Sequence, residues 1–555
     1  MPPKLKIGLL VNSCALPAWE YRMVEIIAES SYAEICLIIE SENDETPQSK
    51  FWQKLKDHYP HLLYLLWKKA EGIWKTVEPD PFESKTLEDI LPNVQLLKVK
   101  PIRKKFSDYL QSSDIEKIRQ HEPDVLLRLG FRILRGEILS VAKLGVWSYH
   151  HGDNRVNRGG PAGFWEVLEG WGTTGSVLQI LTEDLDGGEV LYRSWSQTDI
   201  LLVNRNRGKV FWKSLSFLPR KLEELHRLGV KRFREKLSAE NQHPEFYSRR
   251  LYQNPSNGEF TRILVRHYYR YLKLKVYDFF WLKQWVLLYR FSPHKRISTS
   301  FWRFKTILPP KDRFWADPFI VQRDGKYYVF LEEFLYENKK GHIAVAELDD
   351  KKGLKKPVII IDQSYHLSYP FIFEHQNDFF MIPESSANRT VELYRCQTFP
   401  YKWTFEKVLI NDINAADITV FYYKNKWWIF ANVVENDGAS PLDELFLFFT
   451  EDLFKGKWIS HPQNPIISDV SSSRPAGKLF EYNGKIYRPS QNSSHHYGYG
   501  IKINVIETLS EDEYRERCVS EIEPHWDNKL LGTHTLNIDG ELTVIDALRS
   551  RWRFF

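Results

Sequence analysis

The chain of 555 residues carries a formal net charge of +5, with 43% apolar and 27% charged residues. That length amounts to two to four domains, the balance fits a soluble globular protein, and the small positive surplus excludes a chain that holds nucleic acid by charge alone. Four cysteines, Cys14, Cys36, Cys396 and Cys518, form no CxxC pair and no zinc-spaced cluster, which predicts reduced thiols, a cytoplasmic location and no metal site.

From the N-terminus, Lys6 to Asn12 reads as a buried strand, Pro17 to Glu29 has helical spacing, and Ala33 to Glu40 reads as a second strand. The short apolar run near the start leads straight into a helix pattern, so it is not read as a signal peptide. The His61–Trp67 run predicts a helix packed on the core. Asp124 to Leu129 is a further buried strand, followed by a helical stretch over Arg132 to Ala142. Alternating strands and helices over 1–204 predict a doubly wound α/β sheet.

Residues 205–300 change character. Lys and Arg mix there with Trp, Phe, Tyr and Leu in helical spacing, which predicts a basic, aromatic helical linker. Two readings stay open: an aromatic face packed on its neighbours, or an amphipathic surface for peripheral contact with membrane or a lipid-linked substrate. No stretch of about 18 uncharged apolar residues exists, so no spanning helix is expected.

From 301 to 555 the pattern is all β and repeats five times: Asp317 to Glu333, Tyr369 to Ser385, Asp417 to Asn432, Pro475 to Gln491, and His534 to Asp546. Each unit is an apolar strand, a short turn and an aromatic-rich strand. The turns are placed at Asp324-Gly325, Asn377-Asp378, Asn425-Lys426, Asn483-Gly484 and Asp539-Gly540. Five such units predict a five-bladed β-propeller.

Ordered motifs crowd the first half. They are Phe131-Arg132-Ile133-Leu134, then Trp147-Ser148-Tyr149-His150, Arg158-Gly159-Gly160-Pro161, Thr174-Gly175 and Leu185-Asp186-Gly187-Gly188. Their order resembles the folate-dependent formyltransferases, over roughly the first two hundred residues. The resemblance implies 10-formyltetrahydrofolate as formyl donor and an amine as acceptor. It implies His150 as electrophilic stabiliser and proton relay, Asp186 as the carboxylate orienting it, and a pterin pocket lined by backbone at Arg132, Ile133 and Leu134. Ser148 departs from the pattern, which has Asn there. Losing one oxyanion donor costs about 100- to 1000-fold in rate.

In a propeller the innermost strands converge on the axis. The repeat therefore gathers Asp317, Tyr369, Asp417, Ala476 and His534 at one end, joined by Glu332 or Glu333, Glu384, Asn432, Gln491 and Asp546, with Arg474 and Arg488 nearby. Trp315-Ala316-Asp317-Pro318-Phe319 resembles the opening blade of arabinanase-type glycosidases. Met381-Ile382-Pro383-Glu384-Ser385 and Phe399-Pro400 resemble the N-terminal domain of plant glucosamine inositolphosphorylceramide transferase. The glycosidase order is Asp, Asp, Glu along the chain; here it is Asp317, Glu384, Asp417, which ranks sugar binding level with hydrolysis.

Together these readings predict formyl transfer to an amino group, of an amino sugar in glycan biosynthesis, beside a carbohydrate-handling propeller. The acceptor would be nucleotide- or lipid-linked. Two alternatives are a glycan-active propeller enzyme carrying a degenerate formyltransferase domain, and a non-enzymatic glycan-binding adaptor.

Overall fold

A computed structural model describes residues 3–42, 59–72, 77–292 and 297–554. The chain divides into two units, Met1–Tyr271 with Asn436–Ser440, and Leu272–Glu435 with Pro441–Phe555.

The first unit is built on a seven-stranded sheet. Its order is Glu189–Gln197, Thr173–Ile180, Val146–His150, Val125–Arg128, Leu5–Val11, Ala33–Ser41 and Leu96–Val99. The last five strands run parallel and the first two are antiparallel additions at one edge. Parallel strands buried on both faces need apolar residues throughout. Leu5–Val11 meets that need: Ile7, Leu9 and Val11 enter one core and Leu10 the opposite one. The helix Ala18–Glu29 covers one face through Trp19, Met23, Val24 and Ile27. Each such side chain contributes roughly 1.5–3 kcal/mol on burial.

The expected helix over 132–142 is not formed. Ile133–Leu134 is a two-residue strand pairing with Ser107–Tyr109, followed by a 3-10 turn at Glu137–Ser140. Phe131 and Gly136 sit at positive φ, 62° and 79°, and these two left-handed residues interrupt any helix. The His61–Trp67 run does become a helix, Leu62–Glu71, which packs through Tyr64 and Trp67 while Leu62, Leu63 and Leu66 stay exposed.

The segment 205–300 is divided between the units. Helices Val203–Ser214 and Phe217–Glu240 place Phe211, Phe217, Leu222, Phe233 and Leu237 in the α/β core, and Leu215 between them joins it. Helix Asn257–Phe280 follows, and Trp281–Phe291 is a propeller strand. On helix Asn257–Phe280 the residues Val265, Tyr268, Tyr269, Leu272, Val276 and Phe279 recur at three- and four-residue steps and all are exposed. Arg262, Arg266 and Lys273 are exposed on the same helix, while Arg270 turns inward to the carbonyls of Leu168 and Glu169. No helix of the described residues is long and apolar enough to cross a membrane.

The second unit is a five-bladed propeller of five antiparallel sheets, each of four or five strands. The fifth blade joins Leu536–Asp539 and Leu542–Trp552 to Trp281–Phe291 and Lys305–Ile307, so a strand preceding the repeats closes the ring. Trp281–Phe291 buries Trp285 to Tyr289, which are fixed between two neighbouring strands.

Three of the five hairpin turns lie one residue from their expected positions. His375 pairs with Asp378 and Tyr423 with Lys426, making Gln376-Asn377 and Lys424-Asn425 the loops; Asp539 pairs with Leu542. The loop pairs Gln376-Asn377 and Lys424-Asn425 have φ of 50° to 65°, as two-residue hairpins of primed type require. The innermost strand of the fourth blade is broken: only a bridge from Pro475 to Ser490 precedes Phe480–Tyr482.

Candidate functional site

Two constellations stand at the ends of strands, one in each unit.

In the first unit His150 closes strand Val146–His150, beside the antiparallel edge, at the carboxyl end of the parallel strands. Ligand sites of open α/β sheets lie there. The turn Leu185–Gly188 brings Asp186 to it, with His150 Nδ1 at 3.5 Å from Asp186 Oδ2. Asp186 is itself held at positive φ, 50°, and accepts from Gln179 Nε2 at 3.3 Å and from the Gly159 amide at 3.2 Å. Non-glycine residues in that region carry about 1–3 kcal/mol of strain and cluster at functional sites. Gly159 and Gly175 have steric reasons: a Cβ on Gly159 would lie 2.2 Å from the Tyr252 carbonyl oxygen, and one on Gly175 2.5 Å from the Asp153 nitrogen.

His150 Nε2 lies 2.7 Å from the Asn157 carbonyl. Nε2 therefore carries the hydrogen and Nδ1 is the basic nitrogen, facing Asp186. His151, the neighbouring ring, belongs to the packing: it stacks on Phe211 at 3.7 Å, and burial pushes it down to about 3, so it stays neutral.

Ser148 is buried and accepts a hydrogen bond from Arg128 Nη1 at 3.1 Å. Arg128 also donates to the carbonyls of Phe131 and Arg132 at 3.2 Å and 3.1 Å. A half-buried arginine thus places its guanidinium beside the shorter hydroxyl. Sequence reasoning missed Arg128; its signal is a lone cation ending an apolar strand. The Arg132 side chain pairs with Asp108 at 2.8 Å and donates to the carbonyls of Lys105 and Ser107. Ile133 is half-buried and Leu134 is buried.

Asn157 links His150 to a second group. Its Nδ2 donates to Glu166 Oε1 at 3.0 Å, and Glu166 Oε2 has no hydrogen-bond partner among the described residues. Glu166 lines a cavity of about 290 Å³ with Asp153, Trp171, Thr173 and Arg249. Burial raises its carboxyl to about 7, against the Asn157 hydrogen bond. A raised carboxyl keeps its proton in the folded state while the unfolded chain loses it. The folded state therefore loses relative stability as pH climbs from about 4.5 to about 7, at roughly 1.4 kcal/mol per pH unit. Glu166→Gln is expected to match the parent near pH 4.5 and exceed it by up to about 3 kcal/mol near pH 7. Urea unfolding at both pH values measures this.

In the propeller, Asp317, Tyr369 and Asp417 sit at equivalent bulges and all have positive φ, 49°, 43° and 52°. Asp317 accepts from Thr535 Oγ1 at 2.7 Å and from the Tyr369 amide at 3.3 Å. His534 stands between two carboxylates, 2.6 Å from Asp546 through Nδ1 and 3.7 Å from Asp317 through Nε2. Burial opposes its charging, but Asp546 and Asp317 outweigh burial and raise its pKa. One ligand atom from each of Asp317, His534 and Asp546 lies within 4.8 Å of the others, a spacing that would suit a cation.

Arg474 joins the next pair. It reaches Asp417 at 2.5 Å through Nε and Glu384 at 3.3 Å through Nη2. Burial favours protonated Glu384, yet Arg474 overrides it and holds that carboxyl below its usual range. Glu332 is the fifth carboxylate: burial, then Asp317, Glu384 and Asp417, push it well up. Glu333 faces the other way, to Trp315 and His342, as strand alternation requires. Asn432 Oδ1 and Nδ2 and Gln491 Oε1 are buried without partners among the described residues. Buried unpaired amides cost about 1–3 kcal/mol each and call for a ligand or water. Tyr497 lies under Arg474, 5.2 Å from the ring centre, and Trp285 stacks on His534 at 3.9 Å. Both rings lie outside the repeat positions, so the repeat alignment passes over them.

Arg488 is not part of this cluster. Two hydrogen bonds of 2.6 Å and 2.7 Å tie it to Glu516, and it donates to the Ser472 carbonyl. It stands three residues before Gln491, which reaches Asp417, so alternation turns Arg488 to the opposite face. Arg488→Met is expected to cost about 3–5 kcal/mol by leaving Glu516 without its cation and with the Tyr514 hydroxyl as its remaining donor; chemical unfolding measures this.

Comparison with known proteins bears on both halves. The family model described as glucosamine inositolphosphorylceramide transferase 1, N-terminal, matches residues 308–532. The rice protein "Glucosamine inositolphosphorylceramide transferase 1" is 37% identical over 206 residues, 37% of this chain and 27% of the relative. The Arabidopsis thaliana protein of that name is 32% identical over the same span length. This chain therefore spans about a quarter of the length of those relatives. The methionyl-tRNA formyltransferase of Bacillus mycoides is 28% identical over 144 residues, 26% of this chain and 41% of that protein. A solved glycinamide ribonucleotide transformylase of Symbiobacterium toebii superposes with a TM-score of 0.27 at 12% identity, covering 40% of this chain and 88% of that one. The N-terminal half resembles formyltransferases, and the propeller half resembles the N-terminal part of the plant transferases.

Proposed function

We propose that the first unit transfers a formyl group from 10-formyltetrahydrofolate to the amine of an amino sugar, and that the propeller binds the glycan to which that sugar belongs. The observation that carries this reading is the His150–Asp186 pair, set among the ordered motifs at the carboxyl end of the parallel sheet. The attacking amine must lose a proton as the carbonyl oxygen gains charge. Nδ1 of His150 is the basic nitrogen that takes that proton, and Asp186 stabilises the resulting imidazolium. Arg128 supplies a cation beside Ser148, where the oxyanion needs a donor; it substitutes for the amide that Ser148 lacks.

Support for a folate site lies in segment 131–134, whose backbone is fixed by Arg128 and by Asp108 next to these groups. The donor would supply the formyl carbon: the amine nitrogen–carbon bond forms, the bond from that carbon to the folate nitrogen breaks, and the proton taken by His150 passes to the departing nitrogen. Glu166 and Asp153, with Trp171 alongside, give the neighbouring cavity the character that a hydroxylated amine needs: acceptors for its donors and a ring for its apolar face.

The propeller reading rests on the Asn432 amide and the Gln491 Oε1, which have no partner among the described residues and stand among the axial carboxylates, since vicinal hydroxyls satisfy such groups. Arg474 cross-links Glu384 and Asp417, which favours binding over a paired-acid hydrolysis. Calorimetry with 5-formyltetrahydrofolate tests the folate half. Micromolar binding supports it; a folded protein that binds none at millimolar concentration removes it and favours a propeller-centred function.

A further inference from the structure

Four aromatic rings meet at the surface of the second unit. Phe279 and Phe280 end the helix Asn257–Phe280, Trp552 ends the last propeller strand and Phe554 follows it. Their exposures are 62%, 40%, 41% and 47%. They nevertheless touch one another: Phe279 lies 5.6 Å from Phe554, Phe280 stacks 5.8 Å from Trp552, and Trp552 lies 6.2 Å from Phe554. The pairing of Trp281 with Trp552 fixes the two segments side by side. Leu272 and Val276, 60% and 50% exposed, stand seven and three residues before Phe279 and extend the apolar face along the helix.

Such a cluster is costly in water, and soluble proteins keep contiguous apolar patches for contacts. Its surroundings indicate what covers it. Segments 272–283 and 551–554 carry Lys273, Lys275, Lys283, Arg551 and Arg553 against a single carboxylate, Asp278. Asp278 is already paired with Lys283 at 2.7 Å. Arg553 donates to the Asp278 carbonyl at 2.9 Å, which holds its charge next to Phe554. Aromatic rings with a cationic rim match a lipid headgroup layer, where rings sit at the boundary with the acyl chains and cations meet lipid phosphates.

We propose that Phe279, Phe280, Trp552 and Phe554, with Lys273, Lys275 and Arg553 around them, dock this protein onto an anionic bilayer surface. The docking is peripheral and reversible, and it is independent of whether the first unit uses folate.

Vesicle flotation tests it with the full chain. Vesicles of phosphatidylcholine with about one third phosphatidylserine are expected to carry the protein at low salt and release it near about 0.5 M salt. Pure phosphatidylcholine vesicles are expected to carry far less. Phe279→Ser with Phe554→Ser is expected to lower the bound fraction at least about tenfold at an unchanged melting temperature. K273E with K275E should lose binding to the anionic vesicles without touching the rings. No flotation of the parent, or flotation of the serine variant equal to the parent, overturns the proposal. A concentration-dependent dimer in light scattering that the serine variant abolishes, with no vesicle binding, also overturns it and assigns the cluster to a second copy of the chain.

Discussion

Replacing His150 by alanine is expected to lower formyl transfer by about 100- to 10,000-fold, the range that positioned proton transfer contributes. The loss should fall on kcat, because the role proposed for His150 is exerted on the amine as the bond forms. The variant remains folded. It leaves the Asn157 carbonyl without its ring partner, which costs about 1–3 kcal/mol, while Asp186 keeps Gln179 and the Gly159 amide. Arg128→Met gives the companion result, about 100- to 1000-fold in rate if the guanidinium stands in for the missing amide donor. Single-turnover rates at saturating folate check both. A His150→Ala enzyme as fast as the parent would take His150 out of the mechanism.

The second large effect is on the propeller. Arg474→Met is expected to destabilise this unit by about 3–5 kcal/mol, because it leaves Glu384, the carboxyl that Arg474 holds below its usual range, buried without its cation, and removes the same partner from Asp417. Without Arg474 both carboxyls rise in pKa, so the folded variant holds protons that the unfolded chain releases. Its deficit is therefore largest near neutral pH and shrinks as the solution is acidified and the carboxylates are neutralised. Denaturant unfolding at about pH 7.5 and about pH 5 reads the difference, roughly 1.4 kcal/mol per pH unit for each proton that only the folded variant retains. A deficit that stays constant or grows in acid would show that Arg474 does not neutralise this pair. Tyr497→Ala provides the contrast: it spares the ion pairs, so binding should weaken while the melting temperature holds.

Much of this architecture is legible in the chain because it rests on local rules. The parallel strands announce themselves as apolar runs, and the five repeats by apolar strand, turn and aromatic strand. The axial convergence of Asp317, Glu384 and Asp417 follows from blade equivalence alone. What escaped depends on partners distant in sequence. Trp281–Phe291 has aromatic and basic residues that also suit a helix, and its pairing with Leu542–Trp552 and Lys305–Ile307 makes it a strand. Gln376 and Lys424 are uncommon at positive φ, so composition drew the turns one residue toward the Asn. Arg488 looked axial by proximity in sequence, yet the period of two sends it to Glu516. Arg128 and the Asn157–Glu166 link were hidden because a charged group discloses its role only once its neighbours are in place.

Formyl transfer to an amino sugar is tested most directly by a transfer assay. The purified full chain is incubated with 10-formyltetrahydrofolate and a panel of nucleotide-linked amino sugars, and the products are followed by mass. One sugar is expected to gain a single carbonyl unit at the expense of the folate, at a rate that His150→Ala lowers by at least about 100-fold. Consumption of no folate across the panel, by a protein whose melting temperature 5-formyltetrahydrofolate also fails to raise, would contradict it.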